Sequence, residues 1–410
     1  MTISRKAPFF AALLISLLVA GVPAEAATGE AVLDRTAEIV KKEFYRPSEL
    51  GSFDRDIAAI RGDANSLDDK AALDAAIDKM LAGLKTSHTA RYTPDEVDYY
   101  ELLDVFRYNY RNRIRDLYPP EGEITYEGIG IATRPIDGKL FISDVYDGGP
   151  AARANVKAGD EIISADGEPF AAIDSFKGKA GKEVALTLRR KSDGPEMTIR
   201  VRVEKLQPSE ALLEAIEKSV RVFDRGGKRI GYVRIWSYTR DEVGEILNRE
   251  LGGGKLANID GLVLDLRSRW GGAPADAGEV FVGGTPNMEM IERDGDVNYV
   301  NTRFDKPIVA IIDEGTRSGM EIMAAGLKKN GIALVGMPTA GAVVGGRGFL
   351  LPDDSLLVLA VVDVTVDGKR LEGDPVDPDK TVPFDIRYAD GADPQLDAAV
   401  ATMSARLSEG

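Results

Sequence analysis

Ser318 is the residue of this sequence whose position most strongly suggests chemistry. The apolar run Ile308–Ile312 is typical of a buried strand, and apolar residues from Met320 onward recur at helical spacing until Gly331. Ser318 therefore lies where the carboxyl end of a strand turns into the first turn of a helix. Free N–H groups at such a turn favour developing negative charge. Two interpretations stay open, a nucleophile and a plain helix cap, because serine is a common cap.

Two glycines near this turn are candidate donors to an oxyanion. Gly319 directly follows Ser318, and its N–H lies in a position where a substrate can approach closely. Gly271 belongs to a glycine pair that follows the predicted strand Gly261–Leu266, at the strand end where α/β sheets build their sites. A tight turn that needs positive φ explains the glycine pair equally well from the sequence alone.

His88 is the only histidine in the chain and a candidate general base. It lies in the short connection Lys85–Thr89 between two predicted helices, and such loops often carry functional groups. A lone histidine can equally be incidental. The chain has no cysteine, which excludes disulfides, thiolate metal sites and a cysteine nucleophile, and one histidine excludes a multi-histidine metal site. We therefore expect neither metal nor cofactor.

Three segments must position these residues. Residues 28–120 are predicted to be helical, with amphipathic helices at Ala31–Phe44 and Leu67–Leu84. Residues 121–206 change to short strands with Gly and Pro turns. Residues 209–410 alternate strands and helices, which favours an α/β layered core. The strands predicted for this last segment are Ile230–Ile235, Gly261–Leu266, Ile308–Ile312, Ile332–Val335 and Leu356–Val366.

Residues 1–26 have the pattern of an export signal. Arg5 and Lys6 precede the apolar stretch Phe9–Val22, and residues 24–26 (Ala-Glu-Ala) form a cleavage site. The apolar stretch is too short for a comfortable membrane span, although an uncleaved N-terminal anchor is the alternative. We expect a periplasmic or secreted protein that touches a membrane only through an uncleaved signal. The net charge of −15 argues against nucleic acid as a partner, and the oligomeric state stays open.

Residues 121–206 resemble a PDZ domain. The resemblance rests on Tyr126–Ile131 and on the Gly-Pro-Ala and Gly-Asp-x-Ile patterns of Gly149–Ala154 and Val156–Ile163. In that family a Gly-x-Gly loop binds the terminal carboxylate of a peptide through backbone N–H groups, and the peptide adds as a strand. A generic β-rich domain is the alternative. The residues that the resemblance implies for binding polypeptide C-termini are Gly128, Ile129, Gly130 and Ile131.

Nearly the whole chain after residue 26 resembles the C-terminal processing peptidases and the related tricorn protease core. The motifs occur in the family's order: Gly231–Ile235, Leu264–Arg267 with Gly271-Gly272, Glu314–Ile322, and Val335–Gly341. They differ from the Gly-x-Ser-x-Gly elbow of α/β hydrolases. The resemblance implies an α/β and α+β multidomain fold, with an N-terminal helical segment, a PDZ domain and a ββα-type, crotonase-like layered catalytic core.

The general base is where this chain departs from the Ser–Lys members of the family. Ala342 occupies the position of their lysine, and no lysine lies between Lys329 and Lys369. The tricorn branch uses a Ser-His pair from the helical segment and a glutamate late in the core. Ser87-His88 and Glu372 match these two features.

The resemblance thus implies a role for each candidate residue. Ser318 is the expected nucleophile, His88 its base, and Glu372 orients His88 through the hydroxyl of Ser87. Gly271 and Gly319 are the expected oxyanion donors. We expect an exported serine endopeptidase that cleaves polypeptides docked by their C-termini, with activity rising through roughly pH 6 to 7 if the base is an ordinary histidine. The alternative is an inactive PDZ-containing protein that binds peptides or serves as an envelope scaffold.

Overall fold

The structure, a computed structural model, describes residues 27–63, 67, 69–282, 288–291, 293, 295, 297–300 and 304–409. The predicted export signal, residues 1–26, lies outside the described residues. Within the described part of the chain, no helix combines the length and the apolar character that crossing a membrane requires.

A six-stranded sheet forms the centre of the C-terminal segment. Its first strand is antiparallel to the second, and the second to sixth strands all run parallel to one another. The spatial order is β10 (Arg221–Arg225), β11 (Lys228–Arg234), β12 (Gly261–Asp265), β15 (Ile308–Ile312), β16 (Ala333–Gly336) and β19 (Lys380–Thr381). Four of the predicted strands therefore appear in this sheet close to their predicted bounds.

Helices cover both faces of the central sheet. One face packs against α7 (Pro208–Ser219), α8 (Glu242–Gly252) and α10 (Gly319–Lys329), and the other packs against α11 (Pro394–Glu409). Because successive side chains of a strand point to opposite faces, every residue of β15 is buried, and its sequence is a continuous apolar run. The predicted α/β layered core is confirmed.

The fifth predicted strand lies outside the central sheet. Residues Leu356–Asp363 form β18, which pairs with β17 (Val344–Leu350) and β1 (Ala90–Tyr92) in a separate antiparallel sheet. The sequence predicts a purely helical N-terminal segment, and this prediction is wrong at β1. With only three residues, β1 is too short to show a period of its own, and its partner strand is more than 250 residues away in the chain.

The helices of the N-terminal segment pack on this second sheet. Their bounds are α1 (Gly29–Glu43), α2 (Phe53–Gly62), α3 (Lys70–Ala82), α4 (Val97–Val105) and α5 (Arg111–Leu117). Thr28 caps α1 by accepting a hydrogen bond from the Ala31 N–H at 3.3 Å, and Asp69 caps α3 in the same way. Apolar residues of α1, α2 and α3 share one core with Leu357 and Leu359 of β18. The α3–β1 connection is thereby held against the core segment.

The middle segment is a compact β-rich unit, as predicted. Its sheet has the order β3 (Ile131–Ile136), β4 (Lys139–Val145), β5 (Glu161–Ala165), β7 (Glu183–Arg189) and β8 (Glu196–Arg202), with β6 (Glu168–Pro169) paired to β5 and the short helix α6 (Pro150–Arg153) between β4 and β5. A separate pair, β2 (Tyr126–Gly128) and β9 (Glu204–Leu206), joins the two ends of the segment. Strand β3 is an edge of its sheet. The remaining α-helix and strands of the described chain are α9 (Glu279–Val282) and the hairpin of β13 (Met288–Ile291) and β14 (Val297–Val300). Two short 3₁₀ helices, Pro47–Ser52 and Arg107–Tyr110, lie in the N-terminal segment.

Candidate active site

Ser318 lies at the turn from β15 into α10, where the sequence predicts it. Its backbone has φ 56° and ψ −130°, a conformation that residues with a side chain rarely adopt. The Ser318 N–H donates to the carbonyl oxygen of Ala342 at 3.0 Å, which fixes the turn against the next loop. The Ser318 hydroxyl makes no capping hydrogen bond to α10. The plain-cap interpretation therefore finds no support in the geometry, and the hydroxyl is available for other chemistry.

The loop around Gly271 packs directly on the nucleophile turn. Gly271 has φ 70°, and a Cβ at this position would collide with the Arg317 carbonyl oxygen and lie 2.9 Å from Ser318 Cβ. A Cβ on Gly319 would collide with the backbone of Ala273 in the same loop. Both glycines are thus required by close approach, and the tight-turn explanation of Gly271 also holds because its φ is positive.

The N–H groups of these two glycines have no hydrogen-bond partner among the described residues. Gly319 is the first residue of α10, whose N–H has no partner within the helix. The N–H of Gly271 donates to no described group. Two free N–H groups beside the Ser318 hydroxyl are the arrangement that stabilises a negatively charged oxygen.

Ser87, His88 and Glu372 form one continuous chain of hydrogen bonds. The Ser87 hydroxyl lies 2.9 Å from His88 Nδ1 and donates to Glu372 Oε2 at 2.8 Å. The Ser87 N–H also donates to Glu372 Oε1 at 2.8 Å. A hydroxyl has one proton and a carboxylate only accepts, so the Ser87 hydroxyl must accept from a protonated Nδ1. This assignment leaves His88 Nε2 unprotonated in the neutral ring, with a lone pair that can take up a proton.

The surroundings of His88 keep its imidazole neutral. Burial and the positive charge of Arg317 lower the pKa of His88 from 6.5 to about 4, against the opposing charge of Glu372. The residue has φ 51°, and its ring packs against Gly346 of β17, where a Cβ would lie 3.1 Å from His88 Cδ2. At pH 7 the histidine is therefore in the form that accepts a proton.

The segment from Ala342 to Gly346 contacts both halves of the candidate site. Ala342 accepts the hydrogen bond from the Ser318 N–H, and Gly346 packs on His88. Among the described residues, no hydrogen bond joins His88 Nε2 to the Ser318 hydroxyl. Catalytic hydrogen bonds are often long without substrate and tighten when it binds.

Two residues that the sequence did not single out contribute to the hydrogen bonding around Glu372. The Thr86 hydroxyl donates to Glu372 Oε1 at 3.2 Å, so it must accept from the Tyr45 hydroxyl 3.2 Å away. Arg370 in turn donates to the Tyr45 oxygen at 2.9 Å. The two hydroxyl residues Thr86 and Ser87 directly precede His88, and this pattern could have indicated a role for Thr86. Nothing in the sequence indicates Tyr45, which follows α1.

Glu321 is a third residue that sequence reasoning missed. It is 0% exposed on α10 and accepts hydrogen bonds from the Thr339 hydroxyl and from the N–H groups of Gly341 and Ala342, at 2.6 to 2.7 Å. Glu321 thereby holds the loop whose Ala342 carbonyl binds Ser318. A glutamate between apolar residues of a predicted helix was the available signal, because such a residue is buried only with partners.

Glu101 of α4 ties all three segments to the Gly271 loop. Its carboxylate accepts hydrogen bonds from Trp270 Nε1 at 2.6 Å and from the Arg269 guanidinium at 3.0 Å. The same carboxylate accepts from the hydroxyl of Tyr146, which follows β4. The residues that lead into Gly271 are therefore fixed by the helical segment and by the middle segment together.

The predicted peptide-binding loop is placed beside the edge strand β3. Gly128 ends β2, Gly130 has φ 71°, and Ile131 begins β3. Ile129 and Ile131 are buried in the core of the middle segment. These two apolar side chains, from which the sequence suggests a preference for apolar final residues, are thus already used inside the domain. The docking prediction now rests on the backbone of the loop and on the free edge of β3.

We searched the described residues for side chains that could together bind a metal ion. No group of three or more His, Cys, Asp or Glu side chains there is arranged to hold a metal ion.

Comparison with protein families gives two matches in this chain. Residues 229–382 match peptidase family S41, and residues 128–203 match the PDZ domain. The carboxy-terminal processing protease CtpB of Bacillus subtilis is 30% identical over 221 residues, which cover 50% of this chain and 44% of CtpB. A carboxyl-terminal-processing protease of Picosynechococcus is 26% identical, over 70% of this chain and 67% of its own. Tricorn protease homolog 1 of Streptomyces coelicolor is also 26% identical, over 62% of this chain and 25% of its own.

Solved structures agree with these matches at the level of the fold. The photosystem II D1 C-terminal processing protease superposes with a TM-score of 0.51 at 18% identity, covering 90% of this chain and 99% of that one. The tricorn protease superposes with a TM-score of 0.50 at 18% identity, covering 93% of this chain and 37% of that one. The chain spans about half the length of the first curated relatives, from 44% to 67%. The family resemblance and the mixed fold are confirmed: residues 229–382 match peptidase family S41, and residues 128–203 match a PDZ domain.

Proposed function

We propose that this protein is a serine endopeptidase that hydrolyses polypeptides docked by their C-termini on its PDZ domain. The observation that carries the proposal is the hydrogen-bonded chain from His88 through Ser87 to Glu372. It occurs together with a Ser318 whose hydroxyl does not cap its helix. The peptidase family S41 match over the core supports the same reaction class.

In this proposal, the Ser318 hydroxyl attacks the carbonyl carbon of the scissile bond. His88 Nε2 takes the hydroxyl proton and later delivers it to the leaving amine. The imidazolium formed meanwhile is stabilised by Glu372 through the Ser87 hydroxyl. The Gly271 and Gly319 N–H groups donate to the oxyanion, and loss of one such donor costs about 3 kcal/mol in other enzymes. Water then releases the acyl group from Ser318 by the reverse sequence of proton transfers.

The docking part of the proposal relies on the middle segment. A polypeptide C-terminus would place its carboxylate at the backbone of Gly128–Ile131 and pair its last residues with the edge of β3. Strand β3 has β4 on one side and no further strand on the other within the described sheet. The open edge supports addition of a peptide strand.

The place of action in the proposal is outside the cytoplasm. The basic residues, apolar stretch and Ala-Glu-Ala site within residues 1–26 support export to a periplasm or beyond. Fractionation of cells that express the full chain tests this part, since an uncleaved anchor would keep the protein in the membrane fraction.

The experiment that tests the reaction is cleavage of an unstructured protein by wild type and by Ser318→Ala. We expect turnover by wild type and none by the variant, which should fold because Ser318 is a turn residue with no side-chain hydrogen bond. Wild-type turnover in the folded variant would remove Ser318 from the mechanism. Peptide binding without turnover in either protein would instead favour the inactive peptide-binding scaffold.

A further inference from the structure

A cavity of about 440 Å³ lies between the PDZ domain and the core, next to the nucleophile turn. Thr133, Arg134 and Pro135 of the edge strand β3 line one side. Arg317, which directly precedes Ser318, lines the other. A polypeptide held on β3 therefore borders the same cavity as the residue that precedes Ser318.

Five arginines line the cavity, and four of them have carboxylate partners. These pairs are Arg134 with Glu314 at 2.9 Å, Arg234 with Asp144 at 2.8 Å, Arg267 with Asp393 at 2.6 Å, and Arg269 with Glu101 at 3.0 Å. Arg317 forms no salt bridge and no side-chain hydrogen bond with any described residue. Its guanidinium is thus the cavity's uncompensated positive charge.

Asp313 does not fill the role of a partner for Arg317. It lines the same cavity, but its Oδ1 accepts a hydrogen bond from the Gly315 N–H at 2.8 Å, so the carboxylate is used within its own turn. Burial raises the pKa of Asp313 to about 6, and its carboxylate forms no salt bridge with Arg317.

We propose that Arg317 forms a subsite that binds a carboxylate of the substrate close to the scissile bond. The inference rests on the proposed peptidase function. An unpaired guanidinium presents a planar fork that fits a carboxylate, and two parallel hydrogen bonds give such a pair both strength and geometric selectivity. Because Arg317 is adjacent to Ser318 and an extended chain advances about 3.3 Å per residue, the carboxylate lies within about two residues of the cleaved bond.

The positive charge of Arg317 also acts on His88, the candidate base. After burial, it is the second cause that lowers the pKa of His88. The guanidinium is therefore within electrostatic reach of His88 as well as adjacent in sequence to Ser318. A carboxylate bound there lies among the reacting groups and not at a distant surface.

Two parts of a polypeptide can supply this carboxylate. One is the side chain of Asp or Glu beside the scissile bond, and the other is the terminal carboxylate of a chain cut near its end. The test uses unstructured peptides with one mapped cleavage site, in two matched pairs. The first pair differs only in Asp against Asn near the cleaved bond. The second pair differs only in a free against an amidated C-terminus two residues beyond it.

We expect wild type to prefer the carboxylate member of at least one pair by about tenfold in kcat/KM, which corresponds to about 1.4 kcal/mol. Preference in the first pair assigns the subsite to an acidic side chain, and preference in the second assigns it to the C-terminus. In Arg317→Gln the preference should fall to about one, while cleavage of the uncharged member continues. Arg225→Gln, an exposed arginine on β10, is the matched control and should keep the preference.

A charge reversal keeps the test decisive if Arg317→Gln folds poorly. Arg317→Glu should favour a peptide with Lys at the position of the Asp, and Arg317→Lys should retain part of the wild-type preference. Cleavage by wild type without any preference in either pair would overturn the subsite and leave the peptidase proposal standing. Absence of cleavage of every peptide and of an unstructured protein would instead overturn the proposed function itself.

Discussion

The Ser87 hydroxyl donates a hydrogen bond to Glu372 Oε2 at 2.8 Å, although 285 residues separate the two along the chain. The pair connects the α3–β1 turn to a loop late in the core. Because the Ser87 hydroxyl also contacts His88 Nδ1, the negative charge of Glu372 acts on the imidazole through one intervening group. Catalysis in this account depends on the contact.

The first prediction concerns that contact. Ser87→Ala and Glu372→Gln should each lower kcat by about 10- to 1,000-fold, because the imidazolium loses its anionic partner while the imidazole remains. The double variant should lose little more than the worse single one, since both changes break the same chain of hydrogen bonds. Ser408→Ala, at an exposed serine of α11, is the matched control. Losses that add fully in the double variant would contradict a shared role.

The second prediction concerns pH. A histidine base must be neutral, and burial, aided by Arg317, lowers the pKa of His88 to about 4. The acid limb of kcat/KM, which reports the free enzyme, should therefore lie below the range of roughly pH 6 to 7 expected for an ordinary histidine. Activity should be nearly constant from about pH 6 to 8 and should fall as pH approaches about 4. His88→Ala should lose about three orders of magnitude or more in turnover.

The lowered pKa of His88 also affects the free energy of unfolding, so the pH experiment needs a control for unfolding. The folded pKa of His88 is depressed, so the unfolded chain binds the proton more readily, and His88 favours unfolding as pH falls from 6.5 towards about 4. Circular dichroism at each pH separates this loss from titration of the active enzyme. An acid limb near pH 6.5 in fully folded protein would contradict the buried environment, and near-normal turnover by His88→Ala would transfer the base to another residue.

Much of this site follows from sequence pattern, and some of it does not. The position of Ser318 at a strand-to-helix turn was predictable, because a continuous apolar run ends before it and a helical pattern of apolar residues begins after it. The hydrogen bonds of Glu372 and the pairing of β1 with β18 were not, because both join residues more than 250 positions apart. No local period records such contacts, and only the resemblance to a family pointed to Glu372.

Burial was the second property that the sequence left undetermined. Glu101 resembles an ordinary helix-surface residue in the sequence, and the apolar neighbours of Glu321 indicate burial without indicating its partners; both residues are buried. Each is stabilised by donors from other elements, Trp270 for Glu101 and Thr339 for Glu321. The same limit applied to Ile129, whose apolar side chain suggested a peptide-binding surface and instead packs in the core of its own domain.

The third prediction uses the close contact at Gly271. Gly271→Ala places a methyl group against the Arg317 carbonyl oxygen and Ser318 Cβ, at a residue whose φ is 70°. The nucleophile turn must shift, so kcat should fall by about 100-fold or more, as expected for a displaced oxyanion donor. Gly278→Ala offers a comparison, because a Cβ there meets nothing within 4 Å. Unchanged kcat in Gly271→Ala would show that this loop does not take part in the reaction.

The fourth prediction concerns docking on the PDZ domain. A peptide with a free C-terminus should bind Ser318→Ala at least about tenfold more tightly than its C-terminal amide, since the backbone of Gly128–Ile131 would lose an anionic acceptor. The Ser318→Ala variant prevents cleavage during titration calorimetry. Acetylation of the N-terminus is the control and should leave the affinity unchanged. Equal affinities for acid and amide would rule out recognition of the terminal carboxylate by this loop.

The most direct test of the central claim is covalent labelling by a serine-reactive phosphonate, followed by mass spectrometry of the modified peptide. A nucleophile needs both its own hydroxyl and a base that removes the proton. We predict a single label on Ser318 in wild type, no label in Ser318→Ala, and labelling slowed by about three orders of magnitude in His88→Ala. A label on another serine, or labelling of Ser318 at the wild-type rate without His88, would contradict the account.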